Sequence, residues 1–311
     1  MKSPHIPVLL DAVVDAFNGV PVGYVVDCTL GYAGHSGALL ETYPQLRLVG
    51  IDRDEEALAF SKQKLATFGD RVRLQRGAFS EVYPRLEVSP IVGVLADFGV
   101  SSLQLDKKER GFAFDSEELD MRMDRSATLS AYDVVNGYDR HGLAEIFAKY
   151  GEVRGAKRLA DAIVAERDKA PIRTAAQLSR VIAQTLPSKG TLHPATLPFQ
   201  AIRIEVNDEL GEIERLLDAI EARHDYGMTV ALITFHSLED RLVKQRFKQW
   251  ARRCICPPHL PRCECGGDRT LGEIVTKKPI TASAEEIRRN PRSRSAKLRL
   301  FRFTKESNGD R

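Results

Sequence analysis

Asp97 stands at the end of an apolar run, residues 91–96, that has the composition of a buried strand. A carboxylate at such a position costs free energy unless a hydrogen-bond donor satisfies it. One interpretation is a turn cap, in which the carboxylate accepts a backbone N–H from the residues that follow. The other is chemical, because a carboxylate that accepts the N–H of an exocyclic amine concentrates charge on that nitrogen and orients its attack. The residues alone leave both interpretations open.

A second group of residues indicates a bound nucleoside. Asp27 ends the first strand and is followed by Gly31 and Gly34 ahead of a helix, in the segment DCTLGYAGHS. Glycines there let the backbone and the helix N-terminus approach a ligand closely. Asp52 ends the second strand, where an acid accepts hydrogen bonds from ribose hydroxyls. These features predict an adenosine-type ligand with both ribose hydroxyls free.

The glycine spacing is not G-x-G-x-x-G, so the dinucleotide fingerprint is absent. NAD and S-adenosylmethionine both contain an adenosine that fits the features described above. The fourth strand helps to decide between them. The segment ADFGVSS places an acid, an aromatic residue and small residues at the strand end, a composition related to that of amino-group methyltransferases. A methyltransferase would use S-adenosylmethionine, but the residues alone leave the choice open.

Two further motifs carry candidate chemistry. In ITFHSLEDR, residues 233–241, His236 and Ser237 do not form a hydrolase triad, because neighbouring strand residues point to opposite faces and no G-x-S-x-G elbow exists. We predict that Ser237 and Asp240 form a helix capping box and that His236 faces the mouth of the pocket.

Four of the five cysteines are clustered within CICPPHLPRCECGG. A cluster of four in a reducing compartment is more often a metal site than a pair of disulfides, which makes a structural zinc ion one interpretation. Reduced thiols in a loop are the alternative, and His259 is a further potential ligand. The candidate zinc ligands are Cys254, Cys256, Cys263 and Cys265. The fifth, Cys28, is predicted to be a buried packing residue.

Alternating strands and helices position these residues up to about residue 105, a pattern typical of parallel βαβ units and a doubly wound α/β sheet. Residues 106–205 contain helical periodicity without a comparable strand. An apolar strand returns at 228–235, and the alternating segment 296–304 predicts an edge strand. We expect one discontinuous domain, 1–105 with 206–311, interrupted by a helical insertion at 106–205.

The charge is unevenly distributed. The net charge is +3, but from Arg241 onward 19 Lys and Arg face 7 Asp and Glu. This excess predicts a polyanionic partner, with a solvated strand edge as the alternative. Its densest part contains Arg288, Arg289, Arg292, Arg294, Lys297 and Arg299. No apolar run approaches the roughly 20 residues of a membrane span, and the N-terminus lacks a signal-peptide pattern, so we expect a cytoplasmic protein without membrane contact.

The chain resembles the bacterial MraW/RsmH family of 16S ribosomal RNA cytosine-N4 methyltransferases over nearly its whole length. The matching blocks, in order, are HIPVLLDAVV, DCTLGYAGHS, GIDRD, GAFS, DFGVSSLQLD, RGFAF, LDMRMD, YGE, HPAT, FQAIRIEVNDEL, TFHSLEDRLVK and NPRSRSAKLR. The resemblance implies a Rossmann-like S-adenosylmethionine-dependent methyltransferase domain with an inserted all-helical, substrate-recognition domain. It also implies methyl transfer to N4 of a cytidine in 16S rRNA of the small ribosomal subunit. The oligomeric state stays open, with a homodimer as one alternative.

The resemblance also assigns site residues. Its cofactor contacts correspond to Ala33, Gly34, His35, Asp52, Phe79, Asp97 and Gln104. Asp52 would bind the ribose, Phe79 would lie near the adenine, and Asp97 and Gln104 would surround the methionine end, with Asp97 catalytic. The family usually has glycine where this chain has Cys28 and Ala33, both small replacements. Two other functions remain alternatives: an RNA-binding assembly factor with a vestigial cofactor site, and a small-molecule methyltransferase.

Overall fold

The computed structural model describes residues 6–101, 104–105, 107–187, 193–254, 256–257, 260 and 262–305. The chain divides into two compact units, residues 1–99 with 211–311, and residues 100–210. The observed division lies a few residues from the predicted boundaries at 105/106 and 205/206. The turn that begins at Val100 groups with the helical unit, and so does the start of the helix that begins at Glu209.

Eight strands among the described residues form one sheet in the first unit. The strands are β1 (Gly23–Asp27), β2 (Leu46–Asp52), β3 (Val72–Arg76), β4 (Ile91–Asp97), β5 (Thr229–Thr234), β6 (Gly272–Ile274), β7 (Ile280–Thr281) and β8 (Lys297–Phe303). Their order is β3-β2-β1-β4-β5-β8-β6, with β7 also pairing with β8. Strands β1 to β5 are parallel, and β8 is antiparallel to β5. The predicted α/β class is therefore confirmed.

Helices cover both faces of this sheet and form most of the second unit. Short 3₁₀ segments occur at Ala66–Arg71, Tyr83–Arg85, Lys108–Arg110 and Pro291–Ser295. The helices are α1 (Leu10–Ala16), α2 (Gly34–Thr42), α3 (Glu55–Lys64), α4 (Phe79–Val82), α5 (Ala131–Gly137), α6 (Arg140–Lys149), α7 (Ala156–Arg167), α8 (Ala175–Thr185), α9 (Thr196–Asn207), α10 (Glu209–Ala222), α11 (Ser237–Trp250) and α12 (Ala284–Arg289). In the part of the chain that the structure describes, no helix combines the length and apolar character of a membrane span.

The central strands are apolar on both faces because each face is covered. Along β1, Val26 packs in a core with Phe247 and Trp250 of α11, whereas its neighbour Val25 packs in another with Phe17, which follows α1. Every residue of β1 and β5 is buried, as expected for interior parallel strands. This double cover fixes the strands whose carboxyl ends carry the candidate site.

Strand β8 is not the edge strand that its alternating pattern predicts. It lies between β5 on one side and the short strands β6 and β7 on the other, and five of its seven residues are buried. Strands β6 and β7 are only three and two residues long. Because their segments are too short for an alternating pattern to show, the cover over β8 could not be recognised from the sequence.

The second unit is a helical body whose loops are held by buried polar side chains. The guanidinium of Arg110 donates to the carbonyl oxygens of Arg122 and Met123 at 3.1 and 2.9 Å. Asn207 at the end of α9 accepts the N–H of Met123 and donates to the carbonyl of Met121, both at 2.8 Å. These contacts hold the 110–123 segment in place. Arg110 is buried, with only 2% of its surface exposed, and its role here is structural.

Candidate active site

Three aspartates end three adjacent parallel strands. Asp52 ends β2, Asp27 ends β1 and Asp97 ends β4, and β1 lies between the other two. The strand order reverses between β1 and β4, and open α/β sheets bind ligands beyond the carboxyl ends at such a switch point. The structure therefore gathers the three acids that the sequence singled out at the expected edge of the sheet.

Asp52 holds two loops and retains capacity for a ligand. Its Oδ2 accepts the N–H of Gly31 and its Oδ1 that of Asp54, both at 2.8 Å. Gly31 has a φ of 50°, a conformation that favours glycine. Burial raises the pKa of Asp52 to about 6, although the two N–H groups oppose the rise. Each carboxylate oxygen can accept a second hydrogen bond, which suits a pair of neighbouring hydroxyls.

Asp27 stabilises the glycine turn through two hydrogen bonds. Its Oδ1 accepts the N–H of Thr29 at 3.1 Å, and its Oδ2 accepts the hydroxyl of Ser36 at 2.6 Å. Burial raises the pKa of Asp27 to about 6, and the bonds from Ser36 and Thr29 oppose the rise. Since Ser36 lies in α2, the carboxylate joins the end of β1 to the helix that follows the turn.

The segment of Ala33, Gly34 and His35 begins α2 and packs on the N-terminal residues. Ala33 has a φ of 51°, a left-handed conformation that is strained for a residue other than glycine. A Cβ on Gly34 would clash with the ring of Pro7. His35 Nε2 lies 2.8 Å from the carbonyl oxygen of Val8, and because a carbonyl only accepts, this nitrogen donates. The segment therefore offers a ligand its backbone rather than its side chains.

Residues 6–9, which we call the N-terminal strap, are also held by the C-terminal part of the chain. The N–H of Leu9 donates to Glu286 Oε1 at 2.7 Å. Asn290 Nδ2 donates to the carbonyl of Ile6 at 3.0 Å. The conformation of the glycine turn thus depends on both ends of the chain.

Asp97 has the least satisfied carboxylate of the three. Its own N–H donates to the hydroxyl of Thr29 at 2.6 Å, but its Oδ1 is buried and accepts no hydrogen bond from any described residue. Burial, followed by the neighbouring carboxylates of Asp27 and Glu239, raises the pKa of Asp97 well above its usual range. No described backbone N–H caps this oxygen, so the geometry favours an external donor.

Glu239 is a buried neighbour of this acid that the sequence reasoning missed. Its Oε2 accepts the N–H of Phe235 at 2.8 Å and that of His236 at 3.2 Å. His236 Nδ1 accepts the N–H of Glu239, and its Nε2 lies 3.1 Å from Glu239 Oε1. The signal that could have revealed the pair is the spacing H-x-x-E directly after strand β5.

The capping box predicted for Ser237 and Asp240 is therefore wrong by one residue. His236 is the N-cap of α11, and Glu239 is its reciprocal partner. Asp240 instead accepts two hydrogen bonds from Arg299, at 2.7 and 3.2 Å. The box shifts because Glu239 can bond two successive backbone N–H groups ahead of the helix.

The two remaining predicted residues lie in different units. Phe79 begins α4 in the first unit, half-buried, with its ring 6.0 Å from that of Phe98 and also 6.0 Å from the guanidinium of Arg53. Gln104 belongs to the second unit, where its Oε1 accepts the N–H of Ser101 at 3.0 Å. The placement of Gln104 at the cofactor remains a prediction.

The basic C-terminal block divides into exposed and structural residues. Arg288, Arg289, Arg292 and Arg294 are exposed. Arg299 is 7% exposed, and its pairing with Asp240 makes it part of the fold rather than part of the predicted polyanion surface. Position 299 lies inside β8, whose inward face the sequence pattern did not distinguish.

Known proteins match this chain along its length. A family model described as the MraW methylase family matches residues 2–304. A relative from Sulfurovum sp. (strain NBC37-1), named ribosomal RNA small subunit methyltransferase H, is 62% identical, covering 99% of this chain and 100% of its own. A relative of the same name from a Nitratiruptor species is 56% identical, covering 97% and 99%.

A precorrin-6y C5,15-methyltransferase from Geobacter metallireducens, whose structure is solved, is 8% identical with a TM-score of 0.43, covering 96% of this chain and 88% of its own. That likeness is too weak to bear on the site, and the fold class rests on the strand order described above. The family match and the two relatives confirm the resemblance noted in the sequence: the chain belongs to the MraW methylase family.

Proposed function

We propose that this protein transfers a methyl group from S-adenosylmethionine to the N4 amino group of a cytidine in 16S rRNA of the small ribosomal subunit. The observation that carries the proposal is the buried, unpaired Oδ1 of Asp97 at the sheet's switch point. The names of the relatives, which state small-subunit ribosomal RNA as their substrate, support it. A substrate of this kind implies action in the cytoplasm.

In this proposal the cofactor supplies an electrophilic methyl group on a sulfonium. Asp52 accepts the two ribose hydroxyls with the oxygens that already hold Gly31 and Asp54. The backbone of Ala33, Gly34 and His35 would also bind the cofactor. As the resemblance implies, Phe79 would lie near the adenine and Gln104 near the methionine end.

Asp97 then orients the attacking amine. Its Oδ1 accepts one N4–H, so the nitrogen lone pair points at the methyl carbon while the second proton stays on nitrogen. When bound, the cofactor would supply the methyl group: the N–C bond would form as the S–C bond breaks with its electrons passing to sulfur, and the surplus N4 proton would pass to the Asp97 carboxylate. The high pKa of Asp97 suits this final step, because a strongly basic carboxylate takes up the proton readily.

The direct test is mass mapping of the modified nucleosides of 16S rRNA from a strain that lacks this protein. We expect one N4-methylated cytidine, with or without a 2′-O-methyl group, to disappear and to return when the wild-type gene is supplied. Complementation with a gene for the Asp97→Asn variant is the matched comparison, and in that strain the modification should stay absent. An unchanged nucleoside map in the deletion strain would contradict the proposal.

Cofactor affinity should depend on pH through Asp52. Its pKa of about 6 means that acidification protonates the carboxylate that accepts the ribose hydroxyls. We expect the dissociation constant for S-adenosylmethionine to rise about tenfold between about pH 7 and about pH 5. Isothermal titration calorimetry at several pH values measures this directly.

The Asp52→Asn variant separates this effect from the titration of Asp27, whose pKa is also about 6. At neutral pH it should bind the cofactor roughly 10–100-fold more weakly, since a hydrogen bond to a charged group contributes about 1.5–3 kcal/mol. Below about pH 6 the two proteins should converge. If the wild type shows no binding at any pH, the cofactor site is vestigial and the assembly-factor alternative is favoured.

A further inference from the structure

Four sulfur atoms lie at the corners of a compact cluster in the segment between α11 and β6. Cys263 Sγ lies 3.6 Å from Cys254 Sγ and 3.5 Å from Cys265 Sγ, and the latter two are 3.7 Å apart. Cys256 completes a set whose sulfurs all lie within 4.8 Å of one another. A tetrahedral ion with Zn–S bonds of about 2.3 Å requires sulfurs about 3.8 Å apart. The cluster therefore has the dimensions of a four-thiolate zinc site.

The same distances argue against disulfides. A disulfide brings two sulfurs to about 2.0 Å and separates them from the others, whereas three sulfurs here are nearly equidistant. None of the four cysteines forms a disulfide. Because Cys254, Cys263 and Cys265 are each close to the other two, no pairing is preferred over another.

The backbone around the cluster is arranged as it is around metal-bound thiolates. The N–H groups of Glu264 and Cys265 both point at Cys256 Sγ, at 3.3 Å. Donors of this kind stabilise a negatively charged sulfur and orient it toward a metal. Gly266 and Gly267 follow with φ values of 82° and 68°, conformations that favour glycine.

We propose that Cys254, Cys256, Cys263 and Cys265 bind one structural Zn²⁺ ion. His259 lies outside the described residues, and four sulfurs complete a tetrahedral set without it. Four thiolates and a divalent ion carry a net charge of −2, which the basic residues along this segment offset. The basic residues there are Arg252, Arg253, Arg262 and Arg269.

The ion would add to the contacts that hold the segment between α11 and β6. Between Trp250 and Leu271 the described residues contain no helix or strand, and loops of this length are uncommon unless they are functional or disordered. Two backbone hydrogen bonds close its base: Arg269 N–H to Arg253 O at 2.9 Å, and Leu271 N–H to Trp250 O at 2.8 Å. The four cysteines lie between these closing residues, so metal bonds to them would join the described parts of the segment to one another.

The proposal is tested by measuring the metal content of the full-length protein, purified without a metal-binding tag, by inductively coupled plasma mass spectrometry. We expect one zinc per chain. The double variant Cys263→Ser/Cys265→Ser should contain none, while Cys28→Ala, which removes the fifth cysteine, should retain it. Replacing the zinc with Co²⁺ should give the visible d–d bands and thiolate charge-transfer band of a tetrahedral sulfur site.

The wild-type protein alone keeps the test decisive if the double variant does not fold. Stoichiometric zinc that a mercurial reagent releases as the four thiols react supports the site. Three results contradict it: iron in place of zinc, four thiols that react freely in protein without metal, or a mass that shows disulfides in protein purified under reducing conditions.

Discussion

Replacing Asp97 by Asn is expected to slow methyl transfer by roughly 10²–10⁴-fold, the range that a positioned acid–base group contributes. Asparagine preserves the shape of the side chain and one acceptor oxygen, but it cannot take a proton from the reacting amine. Because the buried Oδ1 of Asp97 accepts no hydrogen bond from a described residue, its replacement should disturb the fold little. The effect should therefore appear in the transfer step rather than in stability.

Single-turnover transfer to small subunits from the deletion strain measures this step, with calorimetry to show that the cofactor still binds. The wild-type rate should increase with pH as Asp97, whose pKa is raised, loses its proton, and the variant should lack that increase. Asp225→Asn is the matched control, since Asp225 accepts the N–H of Ile91 at the opposite end of β4. A variant that transfers at the wild-type rate with cofactor binding unchanged would falsify the role of Asp97.

The second large effect is expected at the exposed arginines of the C-terminal block. We expect the triple variant Arg288→Ala/Arg289→Ala/Arg294→Ala to weaken binding to the small subunit by roughly 10–1000-fold while cofactor affinity stays unchanged. Each lost phosphate contact should also lower the slope of log affinity against log salt by about 1. Filter binding at several salt concentrations gives both quantities.

A matched triple variant, Lys62→Ala/Arg76→Ala/Arg85→Ala, removes three exposed basic residues elsewhere on the same unit. It is balanced for ion pairing, since Arg76 pairs with Glu55 as Arg289 pairs with Glu285. Only the first variant should lose affinity. Equal losses of affinity in both variants would mean that the C-terminal block contributes only general electrostatic attraction. Unchanged turnover in both would favour a small-molecule substrate.

The residues that could be predicted from the sequence are those fixed by local pattern. An apolar run that ends in an acid places Asp52 and Asp97 at strand ends, and parallel strands then bring such ends to one edge. Gly31 could be anticipated because a tight turn needs its positive φ. In each case the information lies within about ten residues of the side chain concerned.

What could not be predicted depends on contacts between distant segments. Arg299 resembles its exposed neighbours in sequence, but its partner Asp240 lies on helix α11, 59 residues earlier in the chain. Arg110 carries a charge typical of exposed residues, yet it is buried and donates to the carbonyl oxygens of Arg122 and Met123. The position of β8 depends on two strands too short to be recognised. Charge and periodicity can be read from the local sequence. Burial depends on which distant segments of the chain pack against a residue.

The N-terminal strap has a consequence for the order in which the molecule matures. Its Leu9 and Ile6 are held by Glu286 and Asn290, which are synthesised 277 and 284 residues later. While the nascent chain is still being elongated, the turn that carries Gly34 lacks this support, and β8 has not yet entered the sheet. We therefore expect the growing polypeptide to acquire a complete ligand site only after residues 286–303 have been synthesised and have packed against residues 6–9 and strand β5.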